Sequence, residues 1–446
     1  MAGGTFDKTV GKVRPGTYVN FKSIAQESIK GAARGTAIIP LANTDYGPSG
    51  EMISLTGDAP DAARAKLGYS VYDNDTAGNM LLIREAFKNA STVIVCICTD
   101  GKAAASGTGG GLNATAKYKG ERGNKLSYAV VTNPIGGFDV EVYLDNSKVE
   151  VYEGIKNVDE IKGSEYITFT ADETGELSAI AGVTLAGGTN GETSNADITT
   201  FLEAADNVKF NTMAFPFEEN TLLAAAKTKI RYMRENEGKK VQVVVPKMTS
   251  ADYEGVINVT NSYSIGDEKL TERQATAFVA GMTAGATYTE SNTYRAVEGA
   301  TAVVGIKSHE QAVAAINAGE FFFSVSEAGA VVVEYDINSL ITFADGKGEE
   351  YRKNRVIRVL DAFNDSLMLN FPPNKYDNNN TGWDIMEGVG KSILKLYYEA
   401  GAIDDVDYNS DFLVDREMST GDRTYFNVGI KPVDSAEKLF FSVTTR

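Results

Sequence analysis

Cysteine, histidine and tryptophan are nearly absent from this 446-residue sequence, which has two Cys, one His and one Trp. Two cysteines exclude a multi-disulfide framework, so the hydrophobic core must hold the fold, and a reducing compartment suits it. One imidazole excludes any site built on paired histidines. Long apolar runs are missing as well. The longest, residues 93–98, is far too short to cross a bilayer, and Met1-Ala-Gly-Gly-Thr-Phe-Asp-Lys8 lacks the apolar stretch of a signal peptide. These absences predict a soluble protein made in a cytoplasm, with no stable membrane insertion. Positive charge is in deficit: 43 Lys and Arg face 60 Asp and Glu, a formal net charge of -17. Binding that depends on neutralising phosphates or anionic headgroups is excluded on that ground, so no direct nucleic-acid contact is expected.

What is present suits several packed layers. At 43% hydrophobic residues the chain has material for about three domains of ordinary size. Residues 1–35 read as an N-terminal arm, in which Val13-Arg-Pro-Gly-Thr-Tyr-Val-Asn-Phe21 alternates β-branched and aromatic residues, with Thr17, Val19 and Phe21 on one face. Residues 36–92 read as an α/β segment packing with the C-terminal core, with a strand over 37–39 stopped by Pro40 and an amphipathic helix over 77–90 carrying Leu81, Leu82, Glu85, Ala86 and Lys88. Residues 93–190 read as an antiparallel β-sandwich or partly open barrel. Short alternating runs occur at 126–131, 138–144, 148–152, 166–169 and 182–185, and Asp145-Asn-Ser predicts a hairpin loop.

From 191 to 345 the period shifts toward 3.6 with strands between, the pattern of an α/β domain. A strand over 207–215, a helix over 220–237 ended by Gly238 and a strand over 241–245 stopped by Pro246 form a βαβ unit. Thr271-Glu-Arg-Gln274 and Ser308-His-Glu-Gln311 are capping boxes whose helices close at Gly285 and Gly319. Strands over 255–259, 302–306, 321–325 and 330–335 complete the expected sheet. Residues 346–422 read as a helical, α+β C-terminal domain with helices over 349–366 and 381–400. Residues 423–446 read as terminal strands, 424–430 and 438–446. The fold class is therefore α/β plus β: a multidomain chain with an antiparallel sandwich or barrel, an α/β domain, an α+β C-terminal domain and extended terminal arms.

Candidate chemistry is sparse. Cys96 and Cys98 share one face of a strand, but a metal site would need further soft or imidazole ligands that the sequence does not place nearby. Gly107-Thr-Gly-Gly-Gly111 lacks the Gly-Lys-Ser/Thr of a phosphate-binding loop and precedes strand-like sequence, so it reads as a flexible loop. Any Ser-His-Asp arrangement must use His309, which lies in the first turn of a capped helix and has no strained-serine motif to serve. No catalytic residue, cofactor or metal is expected. Charge is divided unevenly: residues 1–36 carry six basic against two acidic side chains, whereas in 401–422 Asp404, Asp405, Asp407, Asp411, Asp415, Glu417 and Asp422 face only Arg416. Opposite signs on the two segments fit either separately solvated charge or a head-to-tail contact between copies.

The sequence resembles tail sheath proteins of contractile phage tails and phage-tail-like bacteriocins of Gram-positive hosts. The resemblance rests on Gly3-Gly-Thr-Phe6, Lys12-Val-Arg-Pro-Gly-Thr-Tyr-Val-Asn-Phe21, Leu185-Ala-Gly-Gly-Thr-Asn-Gly191, Lys375-Tyr-Asp-Asn-Asn-Asn-Thr-Gly-Trp383, Gly401-Ala-Ile403 and Ile430-Lys-Pro-Val-Asp-Ser-Ala-Glu-Lys-Leu-Phe-Phe-Ser-Val443. It implies a subunit that stacks as hexameric rings around an inner tail tube, meets baseplate and tail terminator proteins, and contracts to drive the tube through an envelope. It also implies a middle domain likened to subtilisin in fold, here without recognisable catalytic positions. Assembly in the host bacterial cytoplasm, into a virion tail or a released bacteriocin particle, follows from the same resemblance. Family sheaths exchange terminal strands between neighbours, which makes Val13, Arg14, Pro15, Gly16, Tyr18, Val19, Asn20 and Phe21 the expected N-arm interface. Phe426, Val428, Ile430, Pro432, Leu439, Phe440, Phe441 and Val443 are the expected C-arm interface. Two competing readings are a cytoplasmic α/β hydrolase, for which His309 is the weak point, and a β-sandwich binding protein, which would call for a targeting segment.

Overall fold

The computed structural model describes residues 2–4, 16–18 and 35–445. In chain order the first part comprises β1 (Ala2–Gly4), β2 (Gly16–Tyr18), β3 (Thr36–Leu41), β4 (Met52–Thr56), α1 (Arg64–Leu67), α2 (Asn79–Phe87) and β5 (Thr92–Ile97). β1 and β2 pair in parallel. The sandwich follows as β6 (Ser106–Gly109), β7 (Leu112–Ala116), β8 (Leu126–Thr132), β9 (Phe138–Leu144), β10 (Ser147–Ile155), β11 (Ile167–Ala171) and β12 (Ile180–Thr184). Its antiparallel sheets run β10-β9-β8-β12 and β11-β7-β6, and they enclose Tyr128, Val130, Val140, Val142 and Leu144 against Leu112, Ala114 and Ile167. Asp145 and Asn146, both at positive φ, make the tight β9–β10 turn. The glycine-rich stretch expected to be a flexible loop is the β6–β7 hairpin, turned by Gly110 and Gly111 at φ 65° and 85°. Small residues hid its strand pattern, and they leave room for Ile180 and Val183 of β12 against the hairpin.

The chain then forms α3 (Asn195–Ala204), β13 (Thr212–Ala214), α4 (Asn220–Glu235), β14 (Gln242–Pro246), β15 (Val256–Val259), β16 (Ser262–Ile265), β17 (Glu268–Lys269), α5 (Glu272–Gly285), β18 (Ala300–Val304), α6 (His309–Asn317), β19 (Glu320–Phe321), β20 (Phe323–Val325) and β21 (Val331–Val333). The capping boxes at Thr271 and Ser308 are formed, and a third, Ser194 with Asp197, opens α3. A seven-stranded sheet in the order β19-β15-β14-β13-β3-β5-β4 dominates the molecule, parallel except for β4. One face is covered by α2 and α5, the other by α3 and α4.

Several expectations change here. Residues 36–92 do not pack as an adjunct of the C-terminal core: β3 and β4 join the sheet of the central region, and so does β5, which the sequence reading had placed in the sandwich. Their near-continuous apolar runs suit the interior of a parallel sheet, buried on both faces. Pro40 does not end β3, because β13 pairs only with Ala37 and Ile38 and so asks for no N–H at Pro40. α2 is buried almost all round rather than amphipathic; Glu85, 1% exposed, accepts from the Tyr263 hydroxyl and pairs with Lys88. β18 pairs with β16, and β20 with β21, in small separate sheets. The sandwich is thus an insertion: the chain leaves the large sheet after Ile97 and rejoins it through α3 and β13. The Ala103–Thr189 bridge joins its way out and its way back.

The last part comprises α7 (Asn354–Asn370), α8 (Asn380–Glu399), β22 (Ile403–Asp404), β23 (Phe412–Thr420), β24 (Arg423–Val428) and β25 (Lys431–Pro432). Phe363, Ile393, Leu394, Tyr397 and Phe412 form its core. The acidic segment is partly strand, since β23 lies within it and packs on α8.

Candidate assembly interface

His309, Cys96 and Cys98 are not brought together into one site. His309 is exposed, beside Ser308 and Glu310, which are bonded to each other at the helix cap. Cys96 and Cys98 are buried free thiols facing the α3 and α4 layer, and the Cys98 thiol is pushed up by its contact with Cys96 and by burial. Among the described residues no group of three His, Cys, Asp or Glu could hold a metal ion, and no helix is long and apolar enough to cross a membrane.

Exposed apolar surface is concentrated elsewhere. Among the described residues, nine of the thirteen large apolar side chains that are half or more exposed lie between Met368 and Val443. Apolar exposure gathered on one unit in this way suits a surface made for a partner. It divides into two parts. Met368 and Leu369 at the end of α7, Ile385 and Leu396 on α8, and Met418 on β23 stand on the body of the C-terminal unit. Leu439, Phe440, Phe441 and Val443, exposed to 64, 92, 82 and 85%, follow one another at the end of the chain. Residues 438–445 were expected to form a strand; they have the composition of one but pair with no strand among the described residues. A β-ladder needs a second edge, and this segment has none among the described residues.

The other predicted C-arm residues are placed differently. Phe426 packs its ring 5.5 Å from Phe371 and 5.7 Å from Phe412, and Ile430 is half-buried against the same core. Pro432 pairs with Ile403 across β22 and β25. Val428, 37% exposed, ends β24. So the segment through Pro432 belongs to its own domain, and the free part begins later. The β23–β24 hairpin has no third strand beside it among the described residues, and its edges are only partly occupied, by Glu387 on the Val414 N–H and Asn378 on the Arg423 carbonyl. In the N-arm, Gly16 and Tyr18 lie in β2, with Tyr18 in register with Gly4; Val13, Arg14, Pro15, Val19, Asn20 and Phe21 lie outside the described residues.

Charge at this end is organised locally. Arg416, the one basic residue of the acidic stretch, bonds Asp384 at 2.6 Å and Glu387 at 3.3 Å and lies over the Trp383 ring. Asp407 accepts the Asn409 N–H, which with Ser410 holds its carboxyl below the usual range. Asp404 and Asp405 remain exposed beside β25. Sequence reasoning missed the anchorage of residues 434–437, because its partners Lys353 and Arg355 lie 80 or more residues away.

Comparison with known proteins agrees with these features along the whole length. Family models described as phage tail sheath protein central domain, phage tail sheath C-terminal domain, phage tail sheath protein beta-sandwich domain and tail sheath protein Gp18 domain III N-terminal region match residues 191–339, 346–446, 98–190 and 34–96. The protein XkdK of the phage-like element PBSX in Bacillus subtilis (strain 168) is 34% identical over 475 residues, covering 99% of each chain. The crystal structure of a sheath tail protein from Desulfitobacterium hafniense is 34% identical and superposes with a TM-score of 0.80, covering 96% of this chain and 99% of that one. The helical sheath of the anti-feeding prophage in its contracted state, 12% identical, shares the fold with a TM-score of 0.56 over 98% of this chain and all of its own. With similarity at this level from one end to the other, the chain belongs to the phage tail sheath family.

Proposed function

We propose that the chain is the structural subunit of a contractile sheath that polymerises as stacked hexameric rings around an inner tail tube and contracts to drive the tube through a target envelope. The observation that carries this reading is the apolar segment at 439–443, exposed and without a strand partner among the described residues. On a solitary molecule such a segment is an aggregation liability, whereas adding it to a neighbour's open sheet edge satisfies its backbone and buries its rings. A contact in which one end of each copy enters the next is heterologous: it makes a ring where its rotation closes and a filament where it does not, so it can build both rings and their stacking. The β23–β24 hairpin offers the receiving edge, and the N-arm around Val13, Tyr18, Val19 and Phe21 would pair with the donated strand. The basic surplus of residues 1–36 and the acidic surplus of 401–422 favour encounter and register, though screened surface charge adds little to stability.

The role is mechanical rather than enzymatic, and its partners are other copies of the chain, the tube, and baseplate and tail terminator proteins. Assembly takes place in the host bacterial cytoplasm, and the product is a virion tail or a headless bacteriocin particle. Electron microscopy of the purified protein tests the reading. Full-length protein should form tubes of stacked rings, and protein lacking residues 439–446, or residues 1–20, should stay folded and monomeric. Tubes of normal length from either truncated protein would overturn strand donation.

A further inference from the structure

Two residues before the exposed segment, the Glu437 side chain is only 8% exposed. Its carboxylate pairs with Lys353, itself 8% exposed, and accepts the Ser291 and Thr293 hydroxyls at 2.8 and 2.7 Å. The Thr293 hydroxyl also accepts the Asp336 N–H at 3.0 Å. Asp336 is wholly buried and accepts from the Asn292 N–H at 2.9 Å, from Asn354 at 2.9 Å and from Arg358 at 2.8 Å. Glu437 is therefore bonded into the junction of three segments: the loop at 291–295, the loop after β21, and the start of α7. Neighbouring contacts repeat the direction of the tie. Arg355 donates to the Ser435 hydroxyl at 2.7 Å, Lys353 reaches Asp434 at 3.5 Å, and Lys353 and Lys438 both approach the Tyr335 ring.

We propose that Glu437 is the root clamp of the C-terminal arm, a positioning residue that fixes where the free strand begins and passes load from a neighbouring copy into the body of the subunit. This rests on the reading of the arm as a donated strand. Chain geometry gives the clamp its consequence. Beyond Lys438, the eight residues 439–446 reach about 26–29 Å when extended. Upstream of the whole tied stretch 434–438, in which Ser435 and Asp434 are held by Arg355 and Lys353, the nearest main-chain anchor is Val433, whose N–H bonds the Ala402 carbonyl at 2.9 Å. Releasing 434–438 would lengthen the tether by about 16–18 Å, more than three strand spacings of about 4.8 Å. A donated strand on that longer tether has no single register, so the spacing between copies would no longer be set by the subunit. The carboxylate is the fitting group because it accepts one charged and two neutral donors at once.

The test compares full-length protein with Glu437→Ala and the isosteric Glu437→Gln, with Lys431→Ala as a control at an exposed pair. Hydrogen exchange of the Ser435 amide, which bonds the Asp434 carboxylate at 2.8 Å, should quicken at least tenfold in the Ala variant in non-polymerising solution and less in the Gln variant, with the circular-dichroism melting midpoint held. Tubes of the Ala variant should show irregular axial spacing or fail to elongate, while the control matches wild type. Unchanged exchange and regular tubes in Glu437→Ala would overturn the clamp. If Glu437→Ala melts early, the Gln variant decides: wild-type exchange and tube order there overturn the proposal equally. Wild-type protein that makes no tubes would overturn strand donation instead, while the exchange measurement still judges the clamp.

Discussion

Asp336 shows how a single buried charge is made tolerable in this molecule. Burial by itself would push its carboxyl up, but the Arg358 guanidinium, the Asn292 N–H and the Asn354 amide outweigh burial and hold it below the ordinary carboxylate range. A carboxyl lowered in the folded state adds stability that is fully present above its unfolded value of about 3.9 and is lost as pH falls through the folded value. Asp336→Asn should therefore lose about 3–5 kcal/mol at neutral pH, the usual result of leaving a buried cation unpaired. Its stability should also fall less steeply than wild type below about pH 4. Chemical denaturation followed by circular dichroism from pH 7 to pH 3 measures both; parallel acid limbs would show that Asp336 does not titrate with folding. None of these contacts could be read from sequence, since Asp336, Asn292 and Arg358 carry no motif and meet only through tertiary packing.

At the scale of elements, the α8–β23 contact depends on a missing side chain. A Cβ on Gly390 would lie 2.1 Å from the Phe412 ring, whereas nothing lies within 4 Å of one on Gly388, a half-turn away. Gly390→Ala should lose about 1–3 kcal/mol through overpacking, set against a helix-propensity gain of at most about 1 kcal/mol. Gly388→Ala should keep only the gain. Trp383, the single tryptophan, sits in the first turn of α8, bonded to Asn378 at 2.6 Å, so denaturation read by its fluorescence reports this unit; equal midpoints for the two variants would refute the packing argument. Elements with local signals were legible in the sequence: the helices opened by Thr271 and Ser308, the Asp145-Asn146 turn, and the alternating strands of the sandwich. Elements whose identity depends on a distant partner were not. Cys96 and its neighbours read as the first strand of the sandwich because periodicity names a strand without naming its sheet, and Gly107-Thr-Gly-Gly-Gly111 hid a hairpin whose strands lack large side chains. At the proposed interface, the pattern of 439–443 marked the apolar arm, but Phe426 and Ile430 share that pattern while serving their own core.

Across the whole molecule, the units are tied together by buried polar contacts. Arg234 of α4 grips Asp361 of α7 through two hydrogen bonds of 2.9 and 2.8 Å, and Arg122 of the sandwich bonds the Gly68 carbonyl, pairs with Asp145 and lies 4.2 Å from the Tyr69 ring. A subunit cross-braced in this way is suited to move as one body, with bending confined to its arms. A contraction driven by energy stored at assembly and held kinetically is the expectation that goes with such a body. Purified tubes should contract on mild heating or in denaturant without any nucleotide, with no change in rate when ATP is added; a requirement for ATP in light-scattering or microscopy assays would refute stored-energy contraction.

The interrupted large sheet also dictates an order of events during synthesis. β3 and β5 emerge from the ribosome more than a hundred residues before β13, the strand that covers the other edge of β3, so an apolar sheet fragment must wait while the sandwich is made. Among the described residues the strands of the sandwich pair only with one another, so it can close first, bringing its two ends together at Ala103 and Thr189. At elongation rates of about 5–20 residues per second the waiting strands stay uncovered for many seconds. The inserted domain thus acts on the nascent chain as a splint, delivering β13 to the strand it has to meet.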